Sequence, residues 1–385
     1  MIDYFFLKKS IECVKMELYV TGSNIFNQWL CDDLVINEFQ IFSPSKHKLE
    51  TGGSRTNILQ INWSYNIFEI NDTLHISGAW DGKENQFTKV PLPSECVKSK
   101  DLCVTGNDYR IILVDKKMSA IRVLDIEKKE VKELNFHIEE PIEAGTKKKK
   151  LVDTISKAVL SSDSCLYLTQ GGHVYSGILP SYVDTRHCIG TVIDVQCGYE
   201  HFMLLTEEGR VYTWGNGRRL QLGHGDIVSS LEIPTEVEAL AGIKIIKISA
   251  GGWHSLALSE FGDVYAWGLN DTGQQGIKHL NEEHNESFSV PTLVNLFDEQ
   301  GIEITRNVKD IACGSKHSAL LLDDNTIWTA GCNKYGQLGI SEQKYPSSNY
   351  FRNVFQCDKE NRNYSLICGP WNTVICCTFV KKKHK

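Results

Sequence analysis

One motif recurs three times in the second half of the chain. It constrains the fold more than any other feature, because a repeated unit must stack on copies of itself. The first copy reads Gly198-Tyr-Glu-His201, then Phe-Met-Leu-Leu-Thr, then Gly209-Arg-Val-Tyr-Thr-Trp214-Gly215, then Gln221-Leu-Gly223. The second reads Gly251-Gly-Trp253-His254, Ser-Leu-Ala-Leu-Ser, Gly262-Asp-Val-Tyr-Ala-Trp267-Gly268 and Gln274-Gln-Gly276. The third reads Gly314-Ser-Lys-His317, Ser-Ala-Leu-Leu-Leu, Asn325-Thr-Ile-Trp328-Thr-Ala-Gly331 and Gln337-Leu-Gly339. In each, a short apolar run, a turn signal and an aromatic run read as consecutive strands, and a glycine-rich loop follows. Ile233-Pro-Thr-Glu-Val-Glu and Val290-Pro-Thr-Leu-Val-Asn signal a last strand, whose proline fits a sheet edge. Four short strands in about 50 residues make one propeller blade.

Weaker copies extend the register over 58–82, 101–125 and 157–180. The stretch 101–125 rests on spacing more than on residues. Near the C-terminus, Cys368-Gly369-Pro-Trp371-Asn372-Thr373 begins a further unit that stops before its aromatic strand. The missing half stands near the N-terminus as Leu18-Tyr-Val-Thr-Gly22, followed by Gln28-Trp-Leu30. The expected fold is therefore all-β, a seven-bladed β-propeller closed by a blade shared between the N- and C-termini. A single propeller occupies 1–385. Residues 16–30 with 366–379 form the closing blade. The strong repeats are 195–247, 248–310 and 311–365, and 381–385 is a basic tail. Sharing a blade removes two open sheet edges that would otherwise invite aggregation.

Composition excludes several classes. Hydrophobic residues at 41% and charged residues at 23% are globular values, not those of a disordered chain. A net charge of −7 argues against a general nucleic-acid coat. No apolar run approaches the ~18–20 residues of a membrane span, and no signal peptide is expected. The 13 cysteines contain no C-x-x-C and read as reduced thiols of a cytosolic or nuclear protein. Nucleophile elbows, phosphate loops, H-E-x-x-H and EF-hand loops are all missing. No catalytic, cofactor-binding or metal-binding residue is expected.

His201, His254 and His317 could suggest zinc. Each occupies the same slot of its own repeat, and the corresponding slot of the closing blade holds Asn372. A residue required once per repeat does one structural job per repeat, such as bonding the backbone of the next blade. The same reading covers Gly198, Gly215, Gly251, Gly268, Gly314, Gly331 and Gly369. Trp214, Trp267 and Trp328 are core residues on this pattern. Trp253 and Trp371 stand outside it and are candidate partner anchors.

The loops after the aromatic strands should emerge at one end of the ring, with constant glycines and variable residues between them. Arg218, Arg219, Asp271, Lys334 and Tyr335 are variable and join Trp253 and Trp371 as expected partner-binding residues. Lys147 to Lys150 and Lys381 to Lys385 read as solvated charge runs or import signals. A long loop from His279 to Asp298, with Glu282, Glu283 and Glu286, is a further place for partner contacts.

The pattern G-x-x-H, apolar run, G-x-V-Y-x-W-G, Q-L-G resembles the regulator of chromosome condensation repeat. The divergent first half, the strong second half and the Cys368–Thr373 stretch are similar to a short, propeller-only member of that family. The resemblance implies a non-enzymatic, monomeric scaffold in the nucleus and on chromosomes, with some cytoplasmic presence. Its implied partner is a Jumonji-C lysine demethylase/hydroxylase, with chromatin reached indirectly and no membrane. Implied roles are histone methylation at centromeric repeats, chromosome segregation and spindle or microtubule stability. The alternative implied by the founding member is guanine-nucleotide exchange on the small GTPase Ran.

Overall fold

The computed structural model describes residues 16–42, 56–80, 82–90, 101–117, 120–134, 153–227, 229–278, 286–357 and 362–379. Seven four-stranded antiparallel sheets follow one another along the chain. Numbered from the N-terminal side, blade I comprises Thr56–Ile61, Tyr65–Ile70, Thr73–Trp80 and Lys83–Lys89. Blade II runs from Leu102–Gly106 to Glu130–Leu134, and blade III from Ile155–Leu160 to Ser181–Val183. Blades IV, V and VI begin at Val192–Cys197, Ile245–Ala250 and Val308–Cys313. Blade VII is built from both ends of the chain, in the order Arg362–Gly369, Asn372–Phe379, Met16–Ser23 and Val35–Ile41. Met16 to Gly22 pair antiparallel with Thr378 to Asn372 without a break. The first strand of each blade packs beside the first strand of the next, and Arg362–Gly369 meets Thr56–Ile61 to complete the ring.

The core has no single centre. Seven apolar clusters among the described residues each lie between two neighbouring blades. Met203, Val211 and Val237 of blade IV meet Ile245, Ala257 and Trp267 of blade V in one of them. The second strand of a blade has a neighbouring blade on both faces. It is therefore buried throughout rather than on alternate residues, with an apolar centre, and every residue of Cys165–Thr169, His254–Ser259 and His317–Leu322 is buried. Outer strands touch one neighbour and are polar, as in Glu130–Leu134. The first strand carries an irregular step at a matching place in four blades, as at Val192/Asp194, Ile245/Lys247 and Val308/Asp310, and two residues further along in blade I, at Ile58/Gln60. Such bulges sharpen the local twist, and their recurrence sets a common twist around the axis.

Two details differ from the sequence expectation. The Pro291 segment supplies only Thr292–Leu293 to its sheet. The chain then leaves for a small hairpin of Leu296–Phe297 and Glu303–Ile304, because Val294 and Leu296 are drawn into the core between blades V and VI. Pro234 lies inside Ser230–Glu236 rather than at its head, which an outermost strand tolerates.

Candidate interaction face

The repeated histidines form an interlock between blades. His201 Nε2 lies 3.0 Å from Ser255 Oγ of blade V, His254 Nε2 lies 2.9 Å from Ser318 Oγ of blade VI, and His317 Nε2 lies 3.1 Å from Thr373 Oγ1 of blade VII. Each hydroxyl donates onward to the carbonyl of Gln221 (3.2 Å), Gln274 (2.6 Å) or Gln337 (2.7 Å) in the first blade's glycine-rich loop. A hydroxyl that donates to a carbonyl must accept from the imidazole, so the proton sits on Nε2. Nδ1 is then a bare acceptor, buried without a partner among the described residues. Burial pushes the imidazoles down to about 3 in His201 and His254 and about 4 in His317, so all three are neutral at pH 7. The sequence reading expects a backbone partner in the next blade. The structure gives a side-chain hydroxyl, and the backbone is reached through it.

This interlock explains the glycine three positions earlier. A Cβ on Gly198, Gly251 or Gly314 would overlap the imidazole of its own loop. Gly369 has no such ring, since Asn372 fills the slot, and a Cβ there would strike Ile61 instead. Asn372 Nδ2 donates to the Ser23 carbonyl (2.8 Å), fixing the two halves of blade VII together. Gly215, Gly268 and Gly331 have φ of 95°, 101° and 110°, and their Cβ atoms would meet backbone carbonyls of the preceding loop.

All the expected partner residues emerge at the same end of the ring. The carboxamides of Gln221, Gln274 and Gln337 are buried and accept the N–H groups of Arg219 (2.8 Å), Thr272 (2.9 Å) and Tyr335 (2.9 Å). The variable loop residues are thereby held in fixed positions. Arg218 is exposed, and Arg219 places its guanidinium 5.3 Å from the Trp253 ring centre. Asp271 is paired with Lys316 at 2.6 Å. Lys334 lies over Tyr335 at 5.2 Å. Tyr335 in turn meets Trp371 at 5.2 Å and Trp63 at 5.1 Å, both edge-on, and Trp63 meets Trp371 at 5.9 Å. Trp214, Trp267 and Trp328 are buried between blades.

Sequence reasoning missed Trp63, Tyr199, Asp108 and Tyr109. They sit in the loops between first and second strands, Trp63, Tyr199 and Asp108 at the slot of Gly252, Ser315 and Pro370, and Tyr109 at the slot of Trp253 and Trp371. For Trp63, Asp108 and Tyr109 the signal was the repeated loop position, which divergence of the first blades hid; Tyr199 stands where the other strong repeats carry Gly252 and Ser315, so no recurrence marked it. Tyr199 meets Trp253 at 5.6 Å and donates its hydroxyl to Ser315 Oγ at 2.5 Å.

These loop tips join in a belt around the axis. Tyr65 donates to the Asn107 carbonyl (2.6 Å), Asn107 to the Ser162 carbonyl (3.0 Å), and Ser162 Oγ to the Tyr199 carbonyl (2.7 Å). The N–H groups of Tyr199, Gly252 and Ser315 donate to Gly252 (3.0 Å), Ser315 (3.2 Å) and Pro370 (3.0 Å). The belt encloses a depression of about 560 Å³ at the axis.

Among the described residues, no three His, Cys, Asp or Glu side chains gather to hold a metal, and no helix is long and apolar enough to cross a membrane. Lys147 to Lys150, Lys381 to Lys385, Glu282 and Glu283 lie outside the described residues. The Glu286 carbonyl accepts from Asn270 Nδ2 at 2.9 Å, tying the end of the long loop to blade V.

Fold and interlock define a seven-bladed propeller of histidine-linked blades, closed in one blade that both parts of the chain build. The chain carries Regulator of chromosome condensation (RCC1) repeats, matched over residues 208–258 and 262–321 and, as shorter units, over 192–221, 245–274 and 308–337. It is 33% identical over 211 residues to RCC1 domain-containing protein 1 of Homo sapiens, covering 47% of this chain and 55% of that protein. It is 35% identical over 200 residues to Protein pim1 of Schizosaccharomyces pombe, covering 50% of this chain and 35% of that one. It thus spans about half the length, or less, of these relatives. The fold matches the crystal structure of Prp20p from Saccharomyces cerevisiae with a TM-score of 0.72 at 15% identity, over 97% of this chain and 93% of that one.

Proposed function

We propose that the protein is a non-enzymatic, monomeric interaction platform that binds a Jumonji-C lysine demethylase/hydroxylase in the nucleus and reaches chromatin through it. On this reading it supports histone methylation at centromeric repeats, chromosome segregation and spindle or microtubule stability. The observation that carries the platform reading is the rigid face just described. Buried glutamines hold Arg219 and Tyr335 in place, and Trp253, Trp63 and Trp371 stand half-exposed beside them. Arginine and aromatic side chains presented from a fixed backbone are the kind of residue that dominates binding energy. The choice of partner comes from the family resemblance read in the sequence.

Capture of the oxygenase by purified protein tests the reading. The Arg218→Glu, Arg219→Glu double variant should weaken capture at least about tenfold, or 1.4 kcal/mol, while circular dichroism stays native. Normal capture by this variant would move the interface to another surface. The second reading, nucleotide exchange on Ran, is favoured by the likeness to pim1 and to Prp20p, whose crystal structure was described together with its binding properties to Gsp1p and histones. Accelerated release of labelled guanine nucleotide from Ran would establish it, and an unchanged release rate would exclude it.

A further inference from the structure

The depression at the axis carries chemistry that the blade interlock does not use. Five aromatic side chains line it, those of Trp63, Tyr109, Tyr199, Tyr335 and Trp371. Among the described residues that line it, Asp108 is the one charged side chain, and none is a lysine, arginine or histidine. The N–H groups of Tyr199, Gly252 and Ser315 are engaged in the belt. Beside neutral amide, hydroxyl and thiol groups, the depression therefore offers an incoming group aromatic side chains and one carboxylate. That set repels an anion and attracts an organic cation.

The geometry also selects the kind of cation. Trp63, Tyr335 and Trp371 touch one another edge-on, with centres 5.1–5.9 Å apart, so they form no open box around a tetrahedral ammonium head. A planar guanidinium needs only one free ring face and an acceptor in its own plane. Trp63, half-exposed at the depression although Phe26, Tyr335 and Trp371 meet it edge-on at 5.1–5.9 Å, lies beside Asp108, because Ser64, next to Trp63 in the chain, donates its hydroxyl to Asp108 Oδ1 at 3.2 Å. The face holds an internal precedent in Arg219 over Trp253. Asp108 is bridged to no cation among the described residues, and its withdrawal from water raises its pKa above the ordinary carboxylate value.

We propose that the axial depression binds the arginine side chain of an extended basic segment of a protein partner, with the guanidinium stacked on Trp63 and paired with Asp108. The proposal rests on the platform reading and adds the chemistry that the partner must present.

The test uses the full chain and a capped pentapeptide with a central arginine flanked by glycine and serine. Binding is followed by quenching of intrinsic tryptophan fluorescence and by calorimetry. The arginine peptide should bind saturably. Its citrulline counterpart, equal in shape but uncharged, should bind at least tenfold more weakly. Asp108→Asn should weaken the arginine peptide at least tenfold with unchanged thermal unfolding, and Asp108→Glu should retain the preference for arginine over citrulline. Equal binding of the arginine and citrulline peptides overturns the proposal without any variant. So does tighter binding of a lysine, trimethyllysine or acidic peptide, or the absence of a saturable change in the millimolar range. The titration needs no oxygenase, so failed capture of the oxygenase bears on the platform reading alone, and failed arginine selectivity bears on this inference alone.

Discussion

The interlocking histidine is the residue on which each strong blade depends. His254→Ala removes the donor to Ser318 Oγ and leaves that buried hydroxyl with one bond fewer. Chemical denaturation should show a loss of about 1–3 kcal/mol. Oxygenase capture should fall only with the folded fraction. A stable His254→Ala protein that no longer binds would give the residue a ligand role instead. The same residues set a pH dependence. The folded imidazoles titrate near 3 to 4, against about 6.5 in the unfolded chain. Below pH 6.5 the unfolded state therefore binds protons that the folded state does not, and stability falls with pH through the window from 6.5 down to 4. Each histidine contributes a slope of up to about 1.4 kcal/mol per pH unit. Urea midpoints at pH 7, 6 and 5 should decrease progressively, and His254→Asn, which borrows the closing blade's own solution, should flatten that decrease. A midpoint independent of pH would show that these imidazoles titrate normally. The role of His254 was legible in the sequence because one residue recurred in one slot. Its partner was not, because Ser255, Ser318 and Thr373 share a hydroxyl but not an identity, and Asn66 replaces them in blade I.

At the scale of the element, the aromatic strand and the apolar second strand were readable because burial on both faces dictates their composition. Outer strands were read poorly. They bury little, so Lys83–Lys89 and Glu130–Leu134 carry no pattern that marks them as strands. Blade II lacks the Gly-x-x-His loop altogether, yet Ile111, Ile112, Leu113 and Val114 are wholly buried and complete a four-stranded sheet. Packing against blades I and III substitutes there for the interlock. The closing blade makes the sharpest prediction. Deleting residues 366–385 removes Asn372–Phe379 and with it every partner of Met16–Ser23 on that side. The truncated protein should be insoluble or rapidly cleaved by dilute protease. A soluble monomer with unchanged thermal unfolding would refute the shared blade as the closure of the ring.

For the whole molecule, stability is distributed over interfaces arranged in a circle, so no interface is terminal. An open array of repeats can fray from its ends, but a closed ring cannot. Ile67 and Leu320 are both fully buried, at interfaces on different parts of the ring. Ile67→Ala and Leu320→Ala should each cost about 2–5 kcal/mol. Each should move one common urea transition, with tryptophan fluorescence and far-ultraviolet circular dichroism remaining coincident. Two separated transitions in either variant would mean that the blades unfold as independent units.

Building one blade from both ends of the chain also governs how the protein comes into being. Met16–Ser23 leaves the ribosome early, but the strand it pairs with begins at Asn372. About 350 residues are synthesised between them, which at 5–20 residues per second takes on the order of 20–70 s. Throughout that interval the nascent chain carries a strand with an unsatisfied edge, and the most distant contact in the fold is the last that can form. The protein is therefore slow to mature by its topology, and ribosome-bound chains stalled before Gly369 should be held by chaperones that full-length chains release.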